Sequence, residues 1–131
     1  MIWRNKLFKI ASYETFQDGQ IIFEEGSNGD WIYVVEEGKV EISKNVDGQK
    51  IVIEKLKEGD VFGELAYIDK TPRSSTATAK GTTVIGIIDR DFFDAEFNKI
   101  PTDFQKVLKK VAFRLRKATQ RSMESQDGKG N

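Results

Sequence analysis

Between residues 20 and 88 the apolar residues come in short runs broken by polar turns. Ile21, Ile22 and Phe23 form one run, closed by Glu25-Gly26-Ser27-Asn28-Gly29-Asp30. Residues 31–35 (Trp-Ile-Tyr-Val-Val) are β-formers. Glu37-Gly38 separates them from Lys39-Val40-Glu41-Ile42-Ser43, which alternates at period two. Asp47-Gly48 predicts a hairpin, because a type I′ turn needs positive φ at both central positions. Ile51-Val52-Ile53, the turn Glu58-Gly59-Asp60, residues 76–79 and residues 83–88 complete the series. Short strands at this spacing predict a sandwich or barrel, over about residues 12–88.

After Ile88 the period changes. Asp89 or Asp91 is placed to cap a helix containing Phe92, Phe93 and Phe97. Pro101 interrupts, and Thr102 is placed to cap a second helix. There Ile100, Phe104, Val107, Leu108, Val111, Ala112, Leu115 and Ala118 recur in steps of three and four and make one apolar stripe, with lysines and arginines opposite. Phe92, Phe93, Phe97, Phe104 and Phe113 read most simply as core. Leu7, Phe8 and Ile10 suggest a short helical turn at the start. Residues 122–131 are polar and predict a disordered tail. The reading is a single domain, residues 1–121, mainly β with flanking helices: a barrel, then two C-terminal helices over about residues 89–121.

Composition narrows the chemistry. The 131 residues suit one core. There is no cysteine and no histidine, which removes thiol nucleophiles, disulfides, zinc–thiolate sites and histidine bases together. No apolar run is long enough to span a membrane, and no apolar signal stretch follows Met1, so a cytoplasmic setting is expected. Charges cancel to a formal zero, which makes nucleic acid an unlikely partner. The distribution is uneven, however. Residues 99–121 hold eight basic residues and one acid, net +7; the other 13 basic and 20 acidic residues give −7. The basic face has a solvated reading and a partner-binding one, the partner being anionic, a nucleic-acid backbone or a second subunit's acidic body.

The most informative segment is residues 62–76, Phe-Gly-Glu-Leu-Ala-Tyr-Ile-Asp-Lys-Thr-Pro-Arg-Ser-Ser-Thr. Gly63 lets a ligand approach the backbone. Residues 64–68 suit one or two helical turns, whose first N–H groups lack internal partners and suit a phosphate oxygen. Pro72 restricts the loop, and Arg73 offers the bidentate fork that lysine lacks. Ser74 and Ser75 add donors, and Glu64 is an acceptor suited to a sugar hydroxyl.

This run resembles the phosphate-binding cassette of the cyclic nucleotide-binding domain family, to which cAMP-dependent kinase regulatory subunits and catabolite activator protein belong: F-G-E-[LI]-A, then P-R-[AST]-[AS]-T. Gly19, Gly26, Gly29-Asp30, Gly38 and Gly59-Asp60 fall at the family's barrel turns, and Asp89-Arg90 at the start of its next helix. The resemblance implies an eight-stranded β-roll, or jelly-roll barrel, whose last helix serves as a lid. It implies a cAMP or cGMP site formed by Phe62, Gly63, Glu64, Leu65, Ala66, Pro72, Arg73, Ser74 and Ser75. In it Glu64 takes the ribose 2′-hydroxyl, Arg73 takes the exocyclic phosphate oxygens, and the N–H groups of Leu65, Ala66 and Ser75 complete the phosphate site. Ser74 does not choose the base, because cGMP-binding and bacterial cAMP-binding relatives both carry a hydroxyl there. Tyr67 departs from the family's usual aliphatic residue. Phe113 or Arg114 is the candidate base cap.

The expected function is therefore a cyclic-nucleotide sensor that couples ligand to movement of the C-terminal helix. It is not an enzyme and needs no cofactor or metal. A protein partner or a second copy is the candidate occupant of that helix. The alternative is a ligand-free domain of the same fold that uses its basic helix to bind a partner.

Overall fold

The computed structural model describes residues 8–129, with side chains to residue 120. Six antiparallel strands form one closed-over sheet: β1 (Ile10–Phe16), β2 (Ile21–Phe23), β3 (Tyr33–Val46), β4 (Gln49–Leu56), β5 (Val61–Phe62) and β6 (Thr76–Ile88). Three helices accompany them: α1 (Glu64–Asp69), α2 (Arg90–Asn98) and α3 (Thr102–Lys129).

The strand count is six, not eight, because two expected breaks are bends. β3 runs unbroken through Glu37-Gly38, and β6 runs unbroken through residues 80–83. Opposite Gly38, pairing jumps from Glu37↔Val84 to Lys39↔Lys80, so β6 bulges there. A Cβ on Gly38 would lie 2.7 Å from the Thr82 carbonyl and φ is +92°, so only glycine fits. Fully buried Thr83 stitches the bend, its hydroxyl 3.0 Å from the Lys39 carbonyl. Each long strand thus pairs with the other and with two shorter strands. β1 and β2 pair with the two halves of β6, and β5 and β4 pair with the two halves of β3.

The β3–β4 hairpin turns at Asp47 and Gly48, both at positive φ as expected. The N-terminal helical turn is not found among the described residues: Ile10 opens β1, and Leu7 lies outside them. Asp89 caps α2 by accepting from Phe92 N.

The barrel core holds Val35, Val40, Ile42, Leu56, Phe62, Ala77 and Ile85. A second cluster beneath α1 and α2 holds Ile32, Tyr67 and Ile88, with Phe93 and Phe97 against it. Phe92, Phe104 and Phe113 are exposed, contrary to the core expectation. On α3, Phe104, Val107, Leu108, Val111 and Leu115 are all exposed, and only Ala112 is buried among its described side chains. The helix also continues to Lys129, past the Ser122 at which a tail was expected.

Candidate functional site

Arg73 is 4% exposed, the most costly residue type to bury, and the local structure explains how it is held. Its main chain is pinned to the loop before β3: Arg73 N donates to Ser27 O at 2.9 Å and Gly26 N donates to Arg73 O at 2.7 Å. Its guanidinium donates to Gly63 O at 2.8 Å and to Trp31 O at 2.9 Å. It also lies 4.3 Å from the Phe23 ring centroid and 5.6 Å from that of Tyr33. Burial pulls its pKa below the usual guanidinium value, with Tyr33 and Asp30 opposing the shift. Two of its five N–H donors are spent on carbonyls. What remains is a positive charge fixed in position before any ligand arrives.

That placement assigns Gly63 a second task. Its φ is +84°, and a Cβ there would sit 2.8 Å from Arg73 Nη1. The glycine makes room for the arginine, beyond any approach of a ligand. As the N-cap of α1 it contributes no capping side chain. The first-turn N–H groups of α1 are thus left without a side-chain acceptor at their N-cap.

A cavity of about 210 Å³ opens over this floor. Phe62, Gly63, Glu64, Leu65, Ala66, Arg73, Ser74 and Ser75 all line it. Pro72 does not; it is exposed and faces an outer groove. Burial pushes the Glu64 carboxyl up from its ordinary value, while its own backbone N–H and Arg73 pull the other way. Ile42, Ile53 and Phe23 supply the apolar wall.

From α3 the cavity receives Leu115, Arg116 and Thr119, not the expected Phe113 or Arg114. The helix turns its Gln105–Ala112–Arg116–Thr119 face inward, and Phe113 lines the outer groove. Lys44 on β3 lines both spaces and donates to the Ser74 carbonyl. Nothing in the local sequence marked Lys44, since it continues an alternating strand.

The outer groove is larger, about 910 Å³, between α3 and residues 71–74. It is distinct from the cavity that the expected site residues line. It shares Lys44, Arg73, Ser74 and Arg116 with that cavity but lacks Gly63, Glu64 and Ala66, and one of its walls is made largely of α3 lysines. Among the described residues no group of three or more carboxylates could hold a metal, and no helix is long and apolar enough to cross a membrane.

The model of the cyclic nucleotide-binding domain matches residues 13–99. The chain belongs to the cyclic nucleotide-binding domain family. The domain is 37% identical over 90 residues to the cAMP-dependent protein kinase regulatory subunit of Yarrowia lipolytica, covering 69% of this chain and 24% of that one. It is 38% identical over 91 residues to the cGMP-dependent protein kinase of Toxoplasma gondii, covering 70% and 9%. It is 33% identical over 103 residues to a CRP-like cAMP-activated global transcriptional regulator of Mycobacterium tuberculosis, covering 78% and 46%. The domain thus spans less than half of each of these relatives. Among solved structures, the cAMP-bound form of an EAL enzyme superposes with a TM-score of 0.79 at 29% identity, covering 89% of this chain and 31% of that one. The catabolite activator protein of Thermus thermophilus gives 0.66 at 27%, covering 88% and 55%.

Proposed function

We propose that the domain binds cAMP or cGMP in the 210 Å³ cavity and reports occupancy through α3. The observation that carries this reading is the buried, pre-anchored guanidinium of Arg73 beneath a cavity that eight of the nine expected residues line. The phosphate meets Arg73 and the N–H groups of Leu65, Ala66 and Ser75, and the ribose 2′-hydroxyl meets Glu64. Leu115, Arg116 and Thr119 lie at the same cavity, so a ligand that prefers one position of α3 shifts its population. The domain acts by binding, without catalysis, in the cytoplasm. Calorimetric titration with cAMP and then cGMP tests the proposal. Arg73→Ala should weaken binding about a hundredfold, the scale of losing charge-assisted bonds to phosphate. Absence of heat with both nucleotides at high micromolar concentration would sink it.

The exposed stripe of α3 favours a second element of this reading. Phe104, Leu108, Val111, Leu115 and Ala118 follow alternating steps of four and three, the spacing of a coiled-coil seam. We infer that a second copy of the chain packs its own stripe there. Sedimentation should report a dimer, and Leu108→Glu should convert it to monomer while the barrel stays folded.

A further inference from the structure

α3 is docked by an unusual contact for an amphipathic helix. Its apolar stripe is exposed, with Leu115 at the cavity edge, and the buried contribution from its described side chains is Ala112 alone. At its start Gln105 donates to Phe97 O at 3.2 Å and Ile100 O at 3.0 Å. About three turns further on, what ties it to α1 and the loop after it is Arg116. The guanidinium of Arg116 grips Asp69 through both carboxylate oxygens, Nε to Oδ2 and Nη2 to Oδ1 at 3.1 Å, and donates through Nη1 to Pro72 O at 3.1 Å. The partners are 47 residues apart, and their side chains are only 16% and 10% exposed.

The geometry reaches further than a tether. Asp69 ends α1, and its carboxylate also accepts from Thr71 Oγ1 at 2.7 Å and Thr71 N at 3.2 Å. Lys70 between them sits in the left-handed region at φ +55°. Arg116 therefore holds both ends of the turn 69–72, and the next residue is Arg73. One side chain of α3 sets the loop that delivers the phosphate-binding guanidinium, and the same side chain lines the cavity.

We propose that Arg116 is a positioning residue of the nucleotide site, and that the Asp69–Arg116 pair is the latch that keeps α3 shut over the cavity. A shared, partly buried ion pair suits this task, because its strength depends on geometry at both ends and is lost when either moves. The latch on α3 stands by itself, whereas the positioning role rests on the binding reading above.

Two measurements separate these. The first is amide exchange across residues 112–119 in nucleotide-free protein. The second is release of a fluorescent cAMP or cGMP analogue chased by unlabelled nucleotide. Asp69→Asn and Arg116→Gln should each speed exchange and raise the release rate about tenfold, the scale of one charge-assisted hydrogen bond. Arg116→Lys keeps the charge without the fork and should fall between wild type and Arg116→Gln in both. Unchanged exchange in folded Asp69→Asn and Arg116→Gln overturns the latch. Faster exchange with unchanged release overturns the positioning role. If wild type binds neither nucleotide, the binding reading fails and exchange alone decides the latch.

Discussion

Toward α2, the phosphate-loop helix α1 packs through Tyr67, which is 4% exposed and meets Phe93 and Phe97 edge-on at 4.8 and 5.5 Å. The Tyr67 hydroxyl donates to Asp94, and burial together with Asp94 pushes its pKa well up. Toward α3, α1 packs through Asp69 and Arg116, with no aromatic contact among the described residues. The first contact is mainly aromatic, with one hydrogen bond at its rim, and adds many small attractions; the second centres on a few directional bonds. An aromatic seam persists through small displacements, while a bidentate pair does not. On the latch proposal, α3 is the part that leaves α1 when the Asp69–Arg116 pair opens, while the Tyr67 contact with α2 stays. Tyr67, the departure from the family's aliphatic habit, strengthens the permanent side.

The largest test breaks the aromatic side. Tyr67→Ala should cost about 3–5 kcal/mol of global stability in urea unfolding, the range for emptying a buried aromatic site. A cost under 1 kcal/mol would erase the contrast. Next comes the N-terminus of α1, where the contact is with Arg73 instead. Gly63→Ala puts a Cβ at positive φ against Nη1, so stability should fall by about 1–2 kcal/mol from the left-handed backbone alone. Nucleotide affinity measured by calorimetry should fall with it, since the guanidinium must move.

The polar side should yield less. Asp69→Asn should cost about 1–2 kcal/mol in the same unfolding assay, well below Tyr67→Ala, while affecting α3 more. Acid gives a reversible version. Burial raises the Asp69 carboxyl, but Arg116 and Thr71 outweigh it and hold the group below its ordinary 3.8. A depressed pKa stabilises the fold above the unfolded value and loses that contribution as pH falls through the folded one. Protection factors at residues 112–119, taken relative to the intrinsic exchange rate at each pH, should therefore fall in acid below about pH 4, and Asp69→Asn should flatten that dependence. The smallest effect tests the sugar contact. Burial, the largest influence on Glu64, raises its carboxyl above the ordinary value and so favours the protonated form in the free domain. A ribose hydroxyl donating to the carboxylate should release that proton. Calorimetry in mildly acidic buffers should then give heats that vary with buffer ionisation enthalpy. Glu64→Gln should abolish the variation.

Much of the site could be read from residues 62–75 because its parts are neighbours in sequence. Glycine, carboxylate and arginine at fixed spacing fall on one turn and one loop, and local backbone geometry brings them together. Alternation and turn residues likewise set the strands, since a period of two is a property of each segment alone. Gly38 and the residues opposite it misled the strand count because a bulge and a turn use the same residue types; only the pairing across β6 distinguishes a bend from an end.

The amphipathic stripe of α3 shows the other limit. Periodicity reports that a helix has an apolar face, and says nothing of what that face meets. On this chain the barrel is offered Ala112, Arg116 and Thr119 instead, because Asp69 lies where Arg116 can reach it. Lys44, Trp31 O and the 47-residue step from Asp69 to Arg116 are invisible locally for the same reason. The sequence by itself determined the chemistry of the phosphate loop and the β-rich class of the fold. The tertiary structure alone decided how Arg73 is anchored and which side of α3 closes over it. Those depend on which distant groups the folded backbone sets within hydrogen-bonding distance, and short-range patterns carry no record of such distances.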